Sequence, residues 1–389
     1  MNSVGAEWLS WYYRPCRGPC LSEMRALVAE CRLPGRPSRL DEVVSMARTI
    51  GYDVVARVLQ NRSSVHHSYT IGSGKLEEIK RIVEEKGVGT VIFANTLPSS
   101  HVFKVQRRIG NDVRVIDRNL LILELFDSRA MTVEAKLQIQ LARLKYTFSW
   151  GREYLKLKGI LGEQVGWSGP GDYPFKEYEK AARKRISLIR RRLEEIRFKR
   201  DLLRLRRRRL GYPIVALAGY TQSGKTTLFN RLTAEDKTVG LGPFTTLSTY
   251  ARRVEPAEGK PFILVDSIGF IEDMHPIIVD AFTATLREIA DADIILLLID
   301  GSLDPETLSR HLSSSEAILN RIEVKGRIIG CLNKVDLIDE EQLKEAEATA
   351  ALHLKATPLI LISAEKGFNL EKLIQVIQET LRTEHPLTV

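Results

Sequence analysis

The 389 residues carry 44% hydrophobic and 28% charged side chains, the proportions of a folded globular protein with room for two or three domains. The apolar stretch Ile294 to Ile299 is closed off by Asp293 and Asp300, far short of a membrane span. The N-terminus offers aromatic and polar residues (Trp8, Trp11, Tyr12, Tyr13, Arg14) where a secretory signal would need an apolar core, so the expected compartment is the cytoplasm.

Residues 1–37 read as an extension broken by Pro15, Pro19, Pro34 and Pro37, with a short helix expected within Leu21 to Cys31. Cys16, Cys20, Cys31 and Cys331 are expected to be free thiols, because Cys16-x-x-x-Cys20 has no clear fourth partner for a metal. Residues 38–130 alternate helix and strand and predict a small α/β domain. Its helices fall at Leu40–Ile50 and Lys75–Lys86, its strands at Val54–Leu59, Thr90–Ala94 and Val113–Ile116. Gly72-Ser73-Gly74-Lys75 opens the second helix, either as a simple cap or as an anion seat.

Residues 131–210 predict an antiparallel helical hairpin. One helix carries the stripe Leu137, Leu141, Leu144, Phe148; the other carries Ile186, Ile189, Leu193, Ile196 and Leu203. Between them Gly151, Gly159, Gly162, Gly166, Gly169 and Gly171 predict a long flexible tip before Pro174. Lys176 to Arg209 holds 16 Lys/Arg against 5 Asp/Glu, more positive charge than the +9 of the whole chain. Such a helix is either a solvated coiled-coil face or an arm for a polyanion, since phosphates relieve the repulsion within a run such as Arg204, Arg206, Arg207, Arg208 and Arg209.

Residues 211–389 predict an α/β domain built around Gly219-Tyr220-Thr221-Gln222-Ser223-Gly224-Lys225-Thr226. This fits the phosphate-binding pattern G-x-x-x-x-G-K-[ST] in its required setting: the buried-strand run Ile214–Ala218 leads in, and a helix beginning at Thr227 leads out. Backbone N–H groups close around a phosphate, the helix N-terminus adds partial positive charge, and Lys225 neutralises oxygens further out. Thr226 and Asp266 are the expected Mg²⁺ ligands, the latter in Asp266-Ser267-Ile268-Gly269 after the strand Phe262–Val265. Within Phe244-Thr245-Thr246-Leu247, Thr246 is the candidate for the mobile threonine that closes over Mg²⁺ in the triphosphate state. Lys225, Thr246 and Gly269 are thus the groups expected at a γ-phosphate.

The base is named further on. After the strand Ile328–Leu332 comes Asn333-Lys334-Val335-Asp336, whose carboxylate can accept from N1–H and the 2-amino group of guanine; adenine has neither donor there. Lys334 would lie along the base, and Asn333 would tie this loop to the phosphate loop. Ser363-Ala364-Glu365, after the strand Leu359–Ile362, is suited to backbone contact with the base. Five pieces in this order predict a site for GTP or GDP with Mg²⁺. Phe270 stands where many GTPases carry a Gln that orients water, so slow unaided hydrolysis is expected.

The chain resembles the HflX-type GTPases over roughly residues 38–385. The resemblance is carried by Ile116-Asp117-Arg118-Asn119-Leu120-Leu121-Ile122-Leu123-Glu124-Leu125-Phe126, by Arg129 to Gln138, by Tyr69 to Glu78, by Gly169-Pro170-Gly171-Asp172 and by Asp266 to Ile271. It implies an α/β N-terminal domain, a helical hairpin and a GTPase domain. It also implies the large ribosomal subunit and its rRNA as partners, without DNA, with a monomer that dissociates or recycles stalled ribosomes. The hydrophobic residue at Phe270 is a trait of that family and implies ribosome-stimulated hydrolysis. Gln222 departs from the family's usual Asn, and Asp172-Tyr173-Pro174-Phe175 from its Glu-Thr-Gln-Leu run. A ribosome-assembly GTPase that checks rRNA and a GTP-dependent adaptor for a protein partner are the alternatives.

Overall fold

The computed structural model describes residues 24–130, 132–160, 173–209, 212–233, 250–267, 269–271, 275–279, 286, 289–355 and 357–384. It divides into two units, one made of residues 1–128 with 136–194, the other of residues 129–135 with 195–389.

The first unit is built on a parallel sheet of four strands, β1 (Arg25–Arg32), β2 (Asp53–Asn61), β3 (Thr90–Phe93) and β4 (Arg114–Asp117), in the order β2-β1-β3-β4. Helices α1 (Leu40–Thr49), α2 (Ser73–Lys86), α3 (Ser99–Ile109) and α4 (Arg118–Arg129) join and follow the strands. The helix expected within Leu21 to Cys31 is instead β1, paired on both sides, so the fold already includes Arg25 and the extension does not reach residue 37. Six consecutive residues, Ala26 to Cys31, are buried. A strand covered on both faces shows no alternation, and periodicity cannot separate it from a buried helix. Cys31 and Cys331 are free and buried, while Cys16 and Cys20 lie outside the described residues.

Helices α3 and α4 were not expected either. Asp117 ends β4 and at once accepts from the Leu120 N–H at 2.9 Å, so the strand turns into α4 with no connecting loop. Arg118 to Phe126 are all buried, which erases the amphipathic period that would reveal a helix. Asp117 itself is fully buried. Its carboxylate also accepts from the Tyr146 hydroxyl at 2.5 Å and from the Leu97 N–H at 3.2 Å, and Asn119 Nδ2 donates to the same hydroxyl at 3.0 Å. Burial pushes the Asp117 carboxyl up to about 6, and these hydrogen bonds hold it from rising further.

Tyr146 belongs to α5 (Val133–Ile160), which pairs with α6 (Tyr173–Arg209). Leu141, Leu144 and Ile189 are buried together, flanked by Leu137, Ile186 and Leu193, and Phe148 stacks on Tyr178 at 5.8 Å. Leu137, Leu141 and Leu144 thus meet Ile186, Ile189 and Leu193 as expected, while Ile196 lies outside this cluster and the Leu203 side chain outside the described residues. The tip is shorter than expected, because α5 runs through Gly151 and Gly159 to Ile160. Each glycine costs a helix about 1 kcal/mol relative to Ala. Gly162, Gly166, Gly169 and Gly171 lie outside the described residues.

The second unit holds a six-stranded sheet ordered β10-β9-β8-β5-β7-β6. Its strands are β5 (Ile214–Gly219), β6 (Tyr250–Val254), β7 (Phe262–Asp266), β8 (Ile294–Asp300), β9 (Arg327–Asn333) and β10 (Leu359–Leu361). All neighbours run parallel except the edge pair of β6 and β7. Helices α7 (Lys225–Thr233), α8 (Pro305–Arg321), α9 (Glu340–Leu354) and α10 (Leu370–Glu384) are the fully described helices of this sheet. Leu217, Phe229, Leu264, Leu296, Ile329 and Ile377 sit in one buried cluster. Because the central strands are covered on both faces, their carboxyl ends are where polar loops gather. No described helix is long and apolar enough to cross a membrane.

Candidate nucleotide site

Gly219 closes β5 with φ +137°, and a Cβ there would stand 2.3 Å from the Leu298 carbonyl oxygen on β8. Only glycine fits, and the chain can then turn sharply through Tyr220 to Gly224 before α7 begins at Lys225. Thr221 donates its N–H to the Phe270 carbonyl and Phe270 donates to the Gly219 carbonyl, both at 2.9 Å. Gly269 and Phe270 are thereby held against the phosphate loop, and Phe270, 1% exposed, is anchored in the core. No water-orienting group stands at that position. The Lys225 ammonium donates to the carbonyls of Tyr220 (2.6 Å) and Gly219 (3.1 Å). Burial pushes it down to about 8; Asp266 opposes that drop, and Lys334 adds to it.

Thr226 Oγ1 and Asp266 Oδ2 lie 3.5 Å apart, both buried, one at the start of α7 and the other at the end of β7. Two hard oxygens this close, beside a loop built for phosphate, suit Mg²⁺, which favours oxygen ligands and commonly shares them with phosphates. Neighbouring Ser267 is committed to the fold, its hydroxyl donating to the Leu217 carbonyl at 2.5 Å.

At the other end of the site the Asn333 side chain joins three loops. Its Nδ2 donates to the Ser223 carbonyl at 2.8 Å, and its Oδ1 accepts from the Ala364 N–H at 2.9 Å. Lys334, at φ +67°, starts the tight turn Val335–Leu337 that presents Asp336 to solvent. Ser363 is fully buried, and its hydroxyl accepts from the Lys366 N–H at 3.0 Å, shaping the loop in which Glu365 is exposed.

The sheet thus brings together Gly219, Tyr220, Thr221, Gln222, Ser223, Gly224, Lys225, Thr226, Thr227, Asp266 and Gly269 at one end, and Asn333, Lys334, Asp336, Ser363, Ala364 and Glu365 at the other. Phe244, Thr245 and Thr246 lie outside the described residues. Three contacts were not foreseen. Tyr220 stacks on His311 of α8 with ring centroids 3.5 Å apart and planes 10° from parallel. Arg231 of α7 donates to the Glu365 carbonyl. Lys334 pairs with Asp300 at 2.6 Å. Of these only Asp300 left a sequence signal, as the polar residue that ends an apolar strand.

Three family models match the chain in order: "GTP-binding GTPase N-terminal" over residues 37–127, "GTP-binding GTPase Middle Region" over 129–207, and "50S ribosome-binding GTPase" over 214–334. The GTPase HflX of Thermofilum pendens is 39% identical over 360 residues, covering 92% of this chain and 84% of its own. The GTPase HflX of Thermococcus kodakarensis is 37% identical over 344 residues, covering 88% and 75%. Among solved structures, the crystal structure of the SsGBP and GDP complex aligns with a TM-score of 0.52 at 29% identity, covering 92% of this chain and 99% of that one.

Proposed function

This chain belongs to the HflX family of GTPases, and from that premise we propose that it holds Mg²⁺-GTP in the cleft of its second unit, hydrolyses it, and acts on the large ribosomal subunit, dissociating or recycling stalled ribosomes in the cytoplasm. The observation that carries the nucleotide reading is Asn333, whose one side chain fixes the spacing between phosphate loop, base loop and Ser363 loop. In this reading Gly219 to Thr226 surround the phosphates, the Gly269 N–H senses the γ-phosphate, Asp336 reads guanine, and the loop from Ser363 to Glu365 contacts the base. Thr226 and Asp266, with Thr246 in the triphosphate state, would hold Mg²⁺, which neutralises charge on the phosphates. Phe270 offers nothing to a water, so unaided turnover is expected at about 10⁻⁴–10⁻³ s⁻¹, with acceleration from the ribosome.

The division of labour follows the chain: an α/β domain over 38–130 together with β1, a hairpin over 131–210, and the GTPase domain over 211–389. The basic helix α6 supplies affinity for rRNA, and the nucleotide state governs whether that affinity is used. Sedimentation with isolated large subunits tests this. With GTP or a non-hydrolysable analogue the protein is expected to travel with the subunit, with GDP to stay behind; equal behaviour in all three states would overturn the proposed control.

A second expectation comes from Lys225. Its ammonium is pushed down to about 8 in the free site, and nucleotide phosphates would restore its charge. The bound form then holds more protons than the free form above pH 8, so affinity should fall as pH rises beyond 8, by up to tenfold per unit. Calorimetry of GDP binding at pH 8.5 in buffers of different ionisation enthalpy should register net proton uptake, with little at pH 7. Binding at pH 8.5 that is blind to the buffer would contradict it.

A further inference from the structure

The guanine-reading loop depends on a residue outside its own motif. Parallel pairing of β8 with β9 places Asp300 directly opposite Asn333, and Gly301 donates its N–H to the Asn333 carbonyl at 2.9 Å. Asp300 therefore stands beside the base of the Asn333-Lys334-Val335-Asp336 loop. One carboxylate oxygen, Oδ1, accepts from the Ser302 N–H at 3.1 Å and the Ser302 hydroxyl at 2.6 Å, fixing the plane of the group. The other, Oδ2, lies 2.6 Å from Lys334 Nζ. The pair is partly sheltered, with side-chain exposures of 12% for Asp300 and 29% for Lys334, so solvent weakens it less than a surface ion pair.

Lys334 has two reasons to leave this place. A free lysine side chain gains rotamer entropy by leaving, and its ammonium is repelled by that of Lys225. We propose that Asp300 is a positioning residue for guanine recognition: it holds Lys334 by its ammonium so that the aliphatic stem is already laid where the base will stack. This rests on the reading of the cleft as a guanine site. Preorganisation of this kind raises affinity without adding a contact to the ligand, because the ordering cost falls on the free protein.

Asp300→Asn is the sharpest probe, since the amide keeps an oxygen for Ser302 and turns an N–H donor toward Lys334 in place of the charged acceptor. In the full-length protein, GDP affinity should fall about five- to tenfold, and the loss for GTP hydrolysis should appear in KM rather than kcat. In a cycle with Lys334→Met, the double variant should bind GDP no more weakly than Lys334→Met alone. Ser302→Ala, which loosens the turn but leaves the ion pair, should bind like the wild type. Additive losses in the cycle, or a Ser302→Ala variant as weak as Asp300→Asn, would show that Asp300 acts through the turn and overturn the proposal. Wild-type protein that prefers guanine while Asp300→Asn is unimpaired sinks this inference alone; wild-type protein that takes ADP as readily as GDP sinks the site reading beneath it.

Discussion

Asp336→Asn is expected to weaken GDP and GTP binding by about 10²- to 10⁴-fold and to admit xanthine nucleotides in their place. The carboxylate is exposed on the tight turn after Lys334, where it can accept two hydrogen bonds from one base edge. Each such charge-assisted bond contributes about 1.5–3 kcal/mol. An amide keeps one acceptor but turns a donor toward the guanine 2-amino group, itself a donor, so one bond is lost and a repulsion replaces it. Xanthine carries a carbonyl at that place and pairs with the amide. Competition among GDP, xanthosine diphosphate and ADP for the same protein reads all three terms. A variant that kept its GDP affinity within threefold would show that guanine is read elsewhere.

The cleft was legible in the sequence because its residues sit at the ends of apolar runs. Ile214–Ala218, Phe262–Val265 and Ile328–Leu332 each stop at a polar motif, and in a parallel sheet such stops collect at one edge. The same buried character hid β1, where an unbroken apolar run gave no period to read, and α4, whose first nine residues are all buried. The stripe of α6 was readable because most of that helix outside Ile186, Ile189 and Leu193 stays wet. What sequence could not give were ties between side chains from different strands. Asp300 meets Lys334 only through the β8–β9 register, and Tyr220 meets His311 only because α8 packs beside the phosphate loop.

Gly224→Ala should lower GDP affinity by about 10³-fold. Gly224 holds φ +96°, a conformation that costs an alanine about 1–3 kcal/mol. Strain alone is not the main cost. A Cβ at Gly224 would stand 2.2 Å from Asn333 Nδ2, so the amide must move. That amide is buried and holds both the Ser223 carbonyl and the Ala364 N–H, and each buried group left unpaired costs about 1–3 kcal/mol. With these ties gone, phosphate loop and base loop lose their common register, and a ligand that spans both must restore it from its own binding energy. Gly35 separates strain from displacement. It has φ +70° with nothing within 4 Å of a new Cβ, so Gly35→Ala should lower stability by about 1 kcal/mol and leave GDP binding as it was. Urea unfolding and GDP titration of the two variants together decide the matter. If Gly224→Ala binds GDP within fivefold of the wild type, Asn333 is not what joins the two halves of the cleft.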